Sequence, residues 1–438
     1  MRDLAITLMV LAGCVWTLRW PYVGILMWTW ITLMDPHQLS FGFSQSLQIN
    51  FLVAVVTLGS LLLSKERKFP PIDANLVLMG LFFLWFTMNC FFAADPGSAW
   101  YAWDRTWRIM LLGVLVSITA TNRVRIHALV MMMALSLLYY GVKGGGFTLM
   151  TGGGNHVDGP PNSTISDNNQ LALAILMVIP LANYLRMYAA NMLVRRIYLA
   201  GMVLSLFAVL GSYSRGAFIA LAGLAVVGWF RVRQKLLYPI AAAILIVPAL
   251  YFMPDSFYDR MNTINTAGQD SSFQGRLDAW WVALGYARDH FPIGAGFDGP
   301  QKPWVFGTYA PGKDTHAAHS IFFEVLGDQG FGGLAIYLLL LGVCIANAMT
   351  VRRLTKGRPE FAWAYDLAGM LQLTLFVFCL GGAALSFAYY DGFFISCGLL
   401  SVLRELVIQS STEAGWRKGP AKSRVARGAL PEPSLVVE

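Results

Sequence analysis

The chain has 438 residues, 56% of them hydrophobic and only 13% charged, with a formal net charge of +8. Continuous apolar runs of about 18–20 residues recur from end to end, which excludes an ordinary soluble domain and, because they do not alternate, a transmembrane β-barrel. The expected class is all-α, a polytopic integral membrane protein. Its five cysteines (Cys14, Cys90, Cys344, Cys379, Cys397) lie in apolar stretches without metal-ligand spacing and read as packing residues.

In chain order, residues 4–34 hold either one span or two short ones broken at RWP 19–21, with no small-residue cleavage site to mark a removable leader. Further spans are predicted at 50–64, 74–94, 109–120, 128–147, 170–190, 197–213, 216–230, 237–253, 319–350, 362–388 and 393–409, about twelve transmembrane helices in all. Basic residues gather in the short loops KERK 65–68, RVR 123–125, RR 195–196, RVRQK 231–235 and RRLTKGR 352–358, and in the tail RKGPAKSRVAR 417–427. These hold more than half of the 32 Lys and Arg, the positive-inside pattern of cytoplasmic loops. The positive charge therefore reports membrane topology, and no nucleic acid partner is expected. The same rule puts the C-terminus inside and sends 35–49, 95–108, 141–169, 211–215, 254–318 and 389–392 to the outer face.

The expected organisation is a membrane bundle over 1–253, an outer loop over 254–318, a second group of spans over 319–410, and a disordered basic tail over 411–438 with affinity for anionic lipid. The loop is too long to be idle. Within it, RLDAWWVALGYARDH 276–290 reads as an amphipathic helix with Leu277, Trp280, Trp281 and Leu284 on one stripe, its paired tryptophans at headgroup level. FPIGAGFDGP 291–300 ends it through Pro292, Gly294 and Gly296, leaving a lid-like substructure on the bundle.

Three basic groups converge on that face. Arg215, in GSYSRGAF, sits between two apolar runs with almost no loop; it either snorkels or serves a cavity, since an Arg at a helix centre costs about 2.5–3.5 kcal/mol. Arg276 opens the amphipathic helix, where a guanidinium beside backbone N–H groups makes an anion fork, or is a plain first-turn residue. His319 precedes the next span, with Ser320 as N-cap, and the positive helix end would keep its imidazole neutral, as a general base requires. His316 can substitute for it, whereas Glu324 lies about 140° around the helix and is no obvious partner. Lys143 in GVKGGGF offers a further phosphate contact, Asp167, Asn168 and Asn169 either bind sugar hydroxyls or cap a helix, and Asp391 in YYDG offers a carboxylate to the same compartment. No nucleotide-binding loop, HExxH motif or zinc quartet is present.

SRGAF, GRLDAWWVALGYARDHFPIGAGFDG and HSIFFEVLGDQGFGG, in this order, resemble the O-antigen ligase and polymerase superfamily. WTWITLMDPHQLSFGF 28–43, KGGGF 143–147 and GPPNSTISDNNQLALA 159–174 are similar to O-glycosylation ligases found beside exosortase systems, so the likeness covers most of residues 1–410. The resemblance implies a GT-C type glycosyltransferase of the bacterial inner membrane, working at the periplasmic face without metal, nucleotide or other cofactor. Its donor would be a glycan on undecaprenyl diphosphate. Arg215 and Arg276 would hold the diphosphate and His319 would activate the acceptor hydroxyl. The family often has Asn after the His, where this chain has Ser320. The resemblance implies a lipid A–core sugar as the acceptor, as in lipopolysaccharide biosynthesis; a protein hydroxyl or a growing glycan is the alternative. A transporter is the third reading, disfavoured because no internal repeat is visible and the charges gather at the outer edge.

Overall fold

The computed structural model describes residues 2–64, 72–231, 250–262 and 271–417, with positions 243 and 247 besides. Outside them lie the basic loop 65–68, most of 231–235 and of the expected span 237–253, residues 263–270 of the long loop, and the tail from 418 onward.

Every described element is helical, with no strand among the described residues. Residues 4–34 form two helices, α1 (Arg2–Arg19) and α2 (Pro21–Met34), because Pro21 supplies a helix start that loses no N–H bond. α3 (Ile49–Leu63) and α4 (Ala74–Cys90) follow, the latter capped by Asp73, whose carboxylate accepts the Leu76 N–H at 3.0 Å. α5 (Pro96–Thr119) corrects the sequence reading, which took 95–108 as an outer connection. Trp100, Trp103 and Trp107 form a ladder at helical spacing, and Asp104 and Arg108 pair one turn apart, so the charged stretch is helical too.

α6 (Arg123–Met150), α7 (Asn168–Tyr188), α8 (Met192–Gly211) and α9 (Arg215–Arg231) complete the first group. The glycine run after Lys143 is a helix contact: a Cβ on Gly145 would lie 2.0 Å from the Leu204 carbonyl, and one on Gly141 2.0 Å from Ser205 Oγ. The long loop carries α10 (Asp255–Asn262), α11 (Ser271–Asp289) and α12 (Pro303–Tyr309). α13 (Ile321–Thr355), α14 (Ala362–Gly382) and α15 (Asp391–Arg417) close the chain. α14 ends six residues before the expected 388, and α15 runs into the expected tail.

Among the described residues, five helices are long and apolar enough to cross a membrane: Arg123–Met150, Asn168–Tyr188, Met192–Gly211, Ile321–Thr355 and Pro359–Gly382. α2, α3 and α4 are shorter apolar helices. The chain is a multi-pass membrane protein, and one hydrophobic core runs from Val10 on α1 to Val407 on α15.

One irregularity positions the site. α13 kinks at Gly330 (φ 68°, ψ −171°), freeing carbonyls that a helix would otherwise satisfy. The PIGAG stretch lies in the gap. Ala295 N–H donates to the Gly327 carbonyl at 2.8 Å, Gly296 N–H to Asp328 at 2.9 Å, and Gly332 N–H to the Pro292 carbonyl at 3.0 Å. From α4, Asn89 Nδ2 donates to the Asp328 carbonyl at 2.6 Å and Trp85 Nε1 to that of Gln329 at 2.8 Å. The stretch read as a helix breaker is therefore also the anchor of α11. Lys302 pairs with Asp95 at 2.6 Å and ties the following segment to the start of α5.

Candidate active site

The turn 212–214 between α8 and α9 sets Arg215. Tyr213 takes a left-handed backbone (φ 56°) and its hydroxyl donates to the Gly153 carbonyl at 2.6 Å. Ser214 Oγ accepts the Ala217 N–H at 3.2 Å, so it caps α9 and leaves Arg215 as the first helical residue. Arg276 arrives from α11. That helix starts at Ser271 rather than at Arg276, so the predicted anion site on its first N–H groups is not where Arg276 stands. Instead its guanidinium Nη1 donates to the Ala384 carbonyl at 3.3 Å, in the turn after α14. Arg215 and Arg276 line one small cleft of about 30 Å³, together with Asn169, Ser214 and Leu385.

The face that α11 buries differs from the predicted stripe. Ala279, Val282, Ala283 and Tyr286 are buried, while Trp281 is 61% exposed. Small residues win because the helices approach closely: a Cβ on Gly327 would lie 3.1 Å from that of Ala283. Trp280 turns inward, stacks on Phe323 at 4.6 Å and donates through Nε1 to the Ala318 carbonyl at 2.6 Å.

That contact fixes the approach to His319. His319 is a left-handed residue (φ 44°), a conformation costing on the order of 1–3 kcal/mol in a non-glycine residue and therefore held by its surroundings. Its N–H donates to Ser386 Oγ at 3.0 Å. Burial first, then the nearby Arg276 charge, lower its pKa, with His316 adding to the effect and Asp167 opposing it. The direction agrees with the sequence expectation; Ser320 is the N-cap of α13, as expected, but makes no side-chain cap bond.

The other predicted residues divide. Asn169 lines the cleft, Asp167 caps α7 by accepting the Asn169 N–H at 2.9 Å, and Asn168 Nδ2 donates to the Ser212 carbonyl at 2.6 Å, joining α7 to the Arg215 turn. His316 is exposed and its ring covers Gly275, where a Cβ would meet it at 2.6 Å. It lines a separate small pocket with Glu324 and Asp328. Lys143 is exposed on α6 and lines none of these cavities. Asp391 is 3% exposed and accepts a hydrogen bond from Thr32 Oγ1 at 2.6 Å, so it is enclosed rather than presented to a compartment.

Sequence reasoning missed the turn 383–390. Ala384 receives Arg276, Ser386 receives His319 through its hydroxyl and Gln170 Nε2 through its carbonyl at 3.2 Å, and the Ala388 N–H reaches Glu324 at 2.9 Å. The only signal was its small residues, GGAALS, which hydropathy reads as more span. Among the described residues no three His, Cys, Asp or Glu are grouped to hold a metal ion.

Comparison with known proteins divides the chain near the α7–α8 junction. Residues 1–190 match a family of unknown function (DUF5935), and residues 200–338 match the O-antigen ligase family model. No curated protein matches the chain. The second match contains Arg215, Arg276 and His319. Over residues 200–338, the chain is similar to the O-antigen ligases, as its motifs there led the sequence reading to expect.

Proposed function

We propose that the protein is a ligase-type glycosyltransferase that moves a glycan from undecaprenyl diphosphate to a hydroxyl of a lipid A–core sugar. It works at the periplasmic face of the bacterial inner membrane, with its C-terminus in the cytoplasm. The reading is supported above all by one juxtaposition: Arg215 and Arg276 come from distant helices to one cleft, and His319 feels the Arg276 charge. Two guanidinium groups on a cleft suit the oxygens of a diphosphate. Asn169 adds an amide to the same wall.

The acceptor oxygen attacks the anomeric carbon of the donor sugar. The bond from that carbon to the diphosphate oxygen breaks, and undecaprenyl diphosphate leaves with the electron pair. Arg215 and Arg276 stabilise the charge that develops on it. His319, held neutral, takes the proton of the acceptor hydroxyl. Its left-handed backbone, fixed by Ser386, sets where the ring points.

The test uses purified full-length protein, an undecaprenyl-diphosphate glycan and, in separate reactions, lipid A–core, a Ser/Thr peptide and a free glycan, all in EDTA. Product on lipid A–core alone is expected. Product only on peptide or glycan replaces the acceptor, and a requirement for added divalent metal overturns the chemistry.

A further inference from the structure

The arginine cleft and His319 share one wall, the turn 383–390 between α14 and α15. Ala384 and Leu385 face the cleft, while Ser386 and Phe387 face a cavity of about 280 Å³ on the other side. The turn is packed inside the bundle, with Leu385, Phe387, Ala388 and Tyr390 all buried. Buried backbone outside a helix must find its hydrogen-bond partners elsewhere in the fold. Arg276 donates to the Ala384 carbonyl at 3.3 Å, Gln170 to that of Ser386 at 3.2 Å and the Tyr337 hydroxyl to that of Ala388 at 3.1 Å. In the other direction, among the described residues, one side chain accepts from an N–H of the turn. It is Glu324, whose Oε2 takes the Ala388 N–H at 2.9 Å. Glu324 stands in the first turn of α13, where its own N–H donates to the Ser320 carbonyl at 2.8 Å. Just before that helix the His319 N–H donates to Ser386 Oγ. The head of α13 thus grips the turn at Ser386 and again at Ala388. Between the two grips Ile321 lies against Gly382, where a Cβ would meet it at 2.9 Å. A turn released at Ala388 would carry Ser386 away from His319 and Ala384 away from Arg276 together.

We propose that Glu324 is a positioning residue for the transfer: by holding the Ala388 N–H it fixes the turn where Ala384 meets Arg276 and Ser386 meets His319. The inference rests on the transfer proposed above, since that reaction is what needs the two groups in register. The role asks for an oxygen lone pair, which a carboxyl offers whether or not it carries a proton. Glu324 is half-buried and borders the cavity behind the turn, so a shorter side chain there would admit water to Ala388 without restoring the tie to α13.

The test compares Glu324→Leu, Glu324→Ala and Glu324→Gln in full-length protein in lipid nanodiscs. The first fills the site and cannot accept, the second leaves room for water but cuts the tie to α13, and the third keeps an oxygen for Ala388. Hydrogen exchange over residues 386–390 reads the anchor with no substrate present. It should quicken about tenfold in the first two, the effect of one lost hydrogen bond, and keep the wild-type rate in Glu324→Gln. In the transfer reaction the first two should lower turnover per folded molecule by about 100-fold, the cost of a misplacement of about 1 Å, and Glu324→Gln should restore most of it. The acid limb of the rate gives a readout that lost stability alone would not move. Arg276, Asp167 and His316 are the charges that act on His319, and Glu324 is not among them. A limb displaced to higher pH in the first two therefore reports Arg276 withdrawn from His319. Unchanged exchange or wild-type turnover in Glu324→Leu and Glu324→Ala overturns the positioning role, as does Glu324→Gln as slow as Glu324→Leu; in each case wild-type product shows that the transfer stands. If wild-type protein makes no product on any acceptor, the transfer falls. Faster exchange in Glu324→Leu then still leaves Glu324 as the anchor of the turn, and unchanged exchange removes that too.

Discussion

Helices α9 and α13 each carry chemistry at both ends, and the two ends differ in kind. α9 begins at Arg215 and finishes at Arg231, about 24 Å away at 1.5 Å per residue. α13 begins just after His319 and has Arg352 in its last turn. At the far end the arginines meet acceptors supplied by α14 and its neighbourhood. Arg231 donates to the Gly369 carbonyl at 2.5 Å and to Gln372 at 3.2 Å, and Arg352 to the same Gln372 at 3.0 Å and to Tyr365 at 2.9 Å. At the near end Arg215 and Arg276 border a cleft beside a strained histidine. The same residue type latches helices in one place and lines a cleft in the other. A tally of arginines cannot tell these apart, but substitution can. Arg215→Ala or Arg276→Ala should lower transfer by about 10²–10³-fold, the usual loss of one preorganised donor to a developing charge. Arg231→Ala or Arg352→Ala should leave turnover per folded molecule unchanged and lower thermal stability, by about 1 kcal/mol for each hydrogen bond lost. Equal losses of turnover at both ends would break the comparison.

The near end is assembled rather than inherited from any one helix, and its weakest joint is the contact between Gly294 and the α13 kink. A Cβ on Gly294 would stand 2.4 Å from the Gly330 nitrogen, and one on Gly330 2.3 Å from the Ile293 carbonyl carbon. Gly330 is also left-handed. Gly294→Ala should therefore destabilise by about 1–3 kcal/mol, as overpacking does, and reduce transfer by displacing α11 and with it Arg276. Gly307→Ala, inside α12 with nothing near its Cβ, serves as the control on the same loop and should melt at or slightly above wild type with unchanged turnover. A Gly294→Ala protein with wild-type melting and turnover would show that the anchor does not position Arg276.

This joint marks where the sequence stops being readable. With the start of α5 excepted, long apolar runs gave the helices of the first group to within a few residues, because lipid and core select the same side chains over a whole turn. Arg215 stood out as a costly charge between such runs, Arg276 as the opening of an amphipathic helix and His319 as the residue before a span, and the structure brings the two arginines to one cleft. Hydropathy failed where polar groups satisfy one another at close range. The first half of α5 hides a tryptophan ladder behind an Asp104–Arg108 pair. The PIGAG stretch reads as a breaker because its partners, the carbonyls of Gly327 and Asp328, are freed only by a kink elsewhere. Glu324 was set aside for its angle to His319. That angle was beside the point, since Glu324 serves the turn at Ala388 and the cavity beyond it.

The smallest effect tests the electrostatics between these parts. A general base works only when unprotonated, so transfer must fall as pH drops through the His319 pKa. Burial and Arg276 lower that pKa from its ordinary value, about 6.5, so the acid limb of the rate should lie below neutrality. Asp167 acts in the other direction, since its carboxylate favours the imidazolium and raises the pKa. Removing the charge with Asp167→Asn should therefore move the acid limb to lower pH and leave the plateau rate unchanged. Asn is an equally good helix cap, so α7 keeps its start. The shift should be small, because Asp167 is exposed, and should shrink further as salt is raised. A limb that moves to higher pH in Asp167→Asn, or one that ignores salt, would mean that another group takes the proton, and His316, on the far side of Gly275, is then the residue to replace.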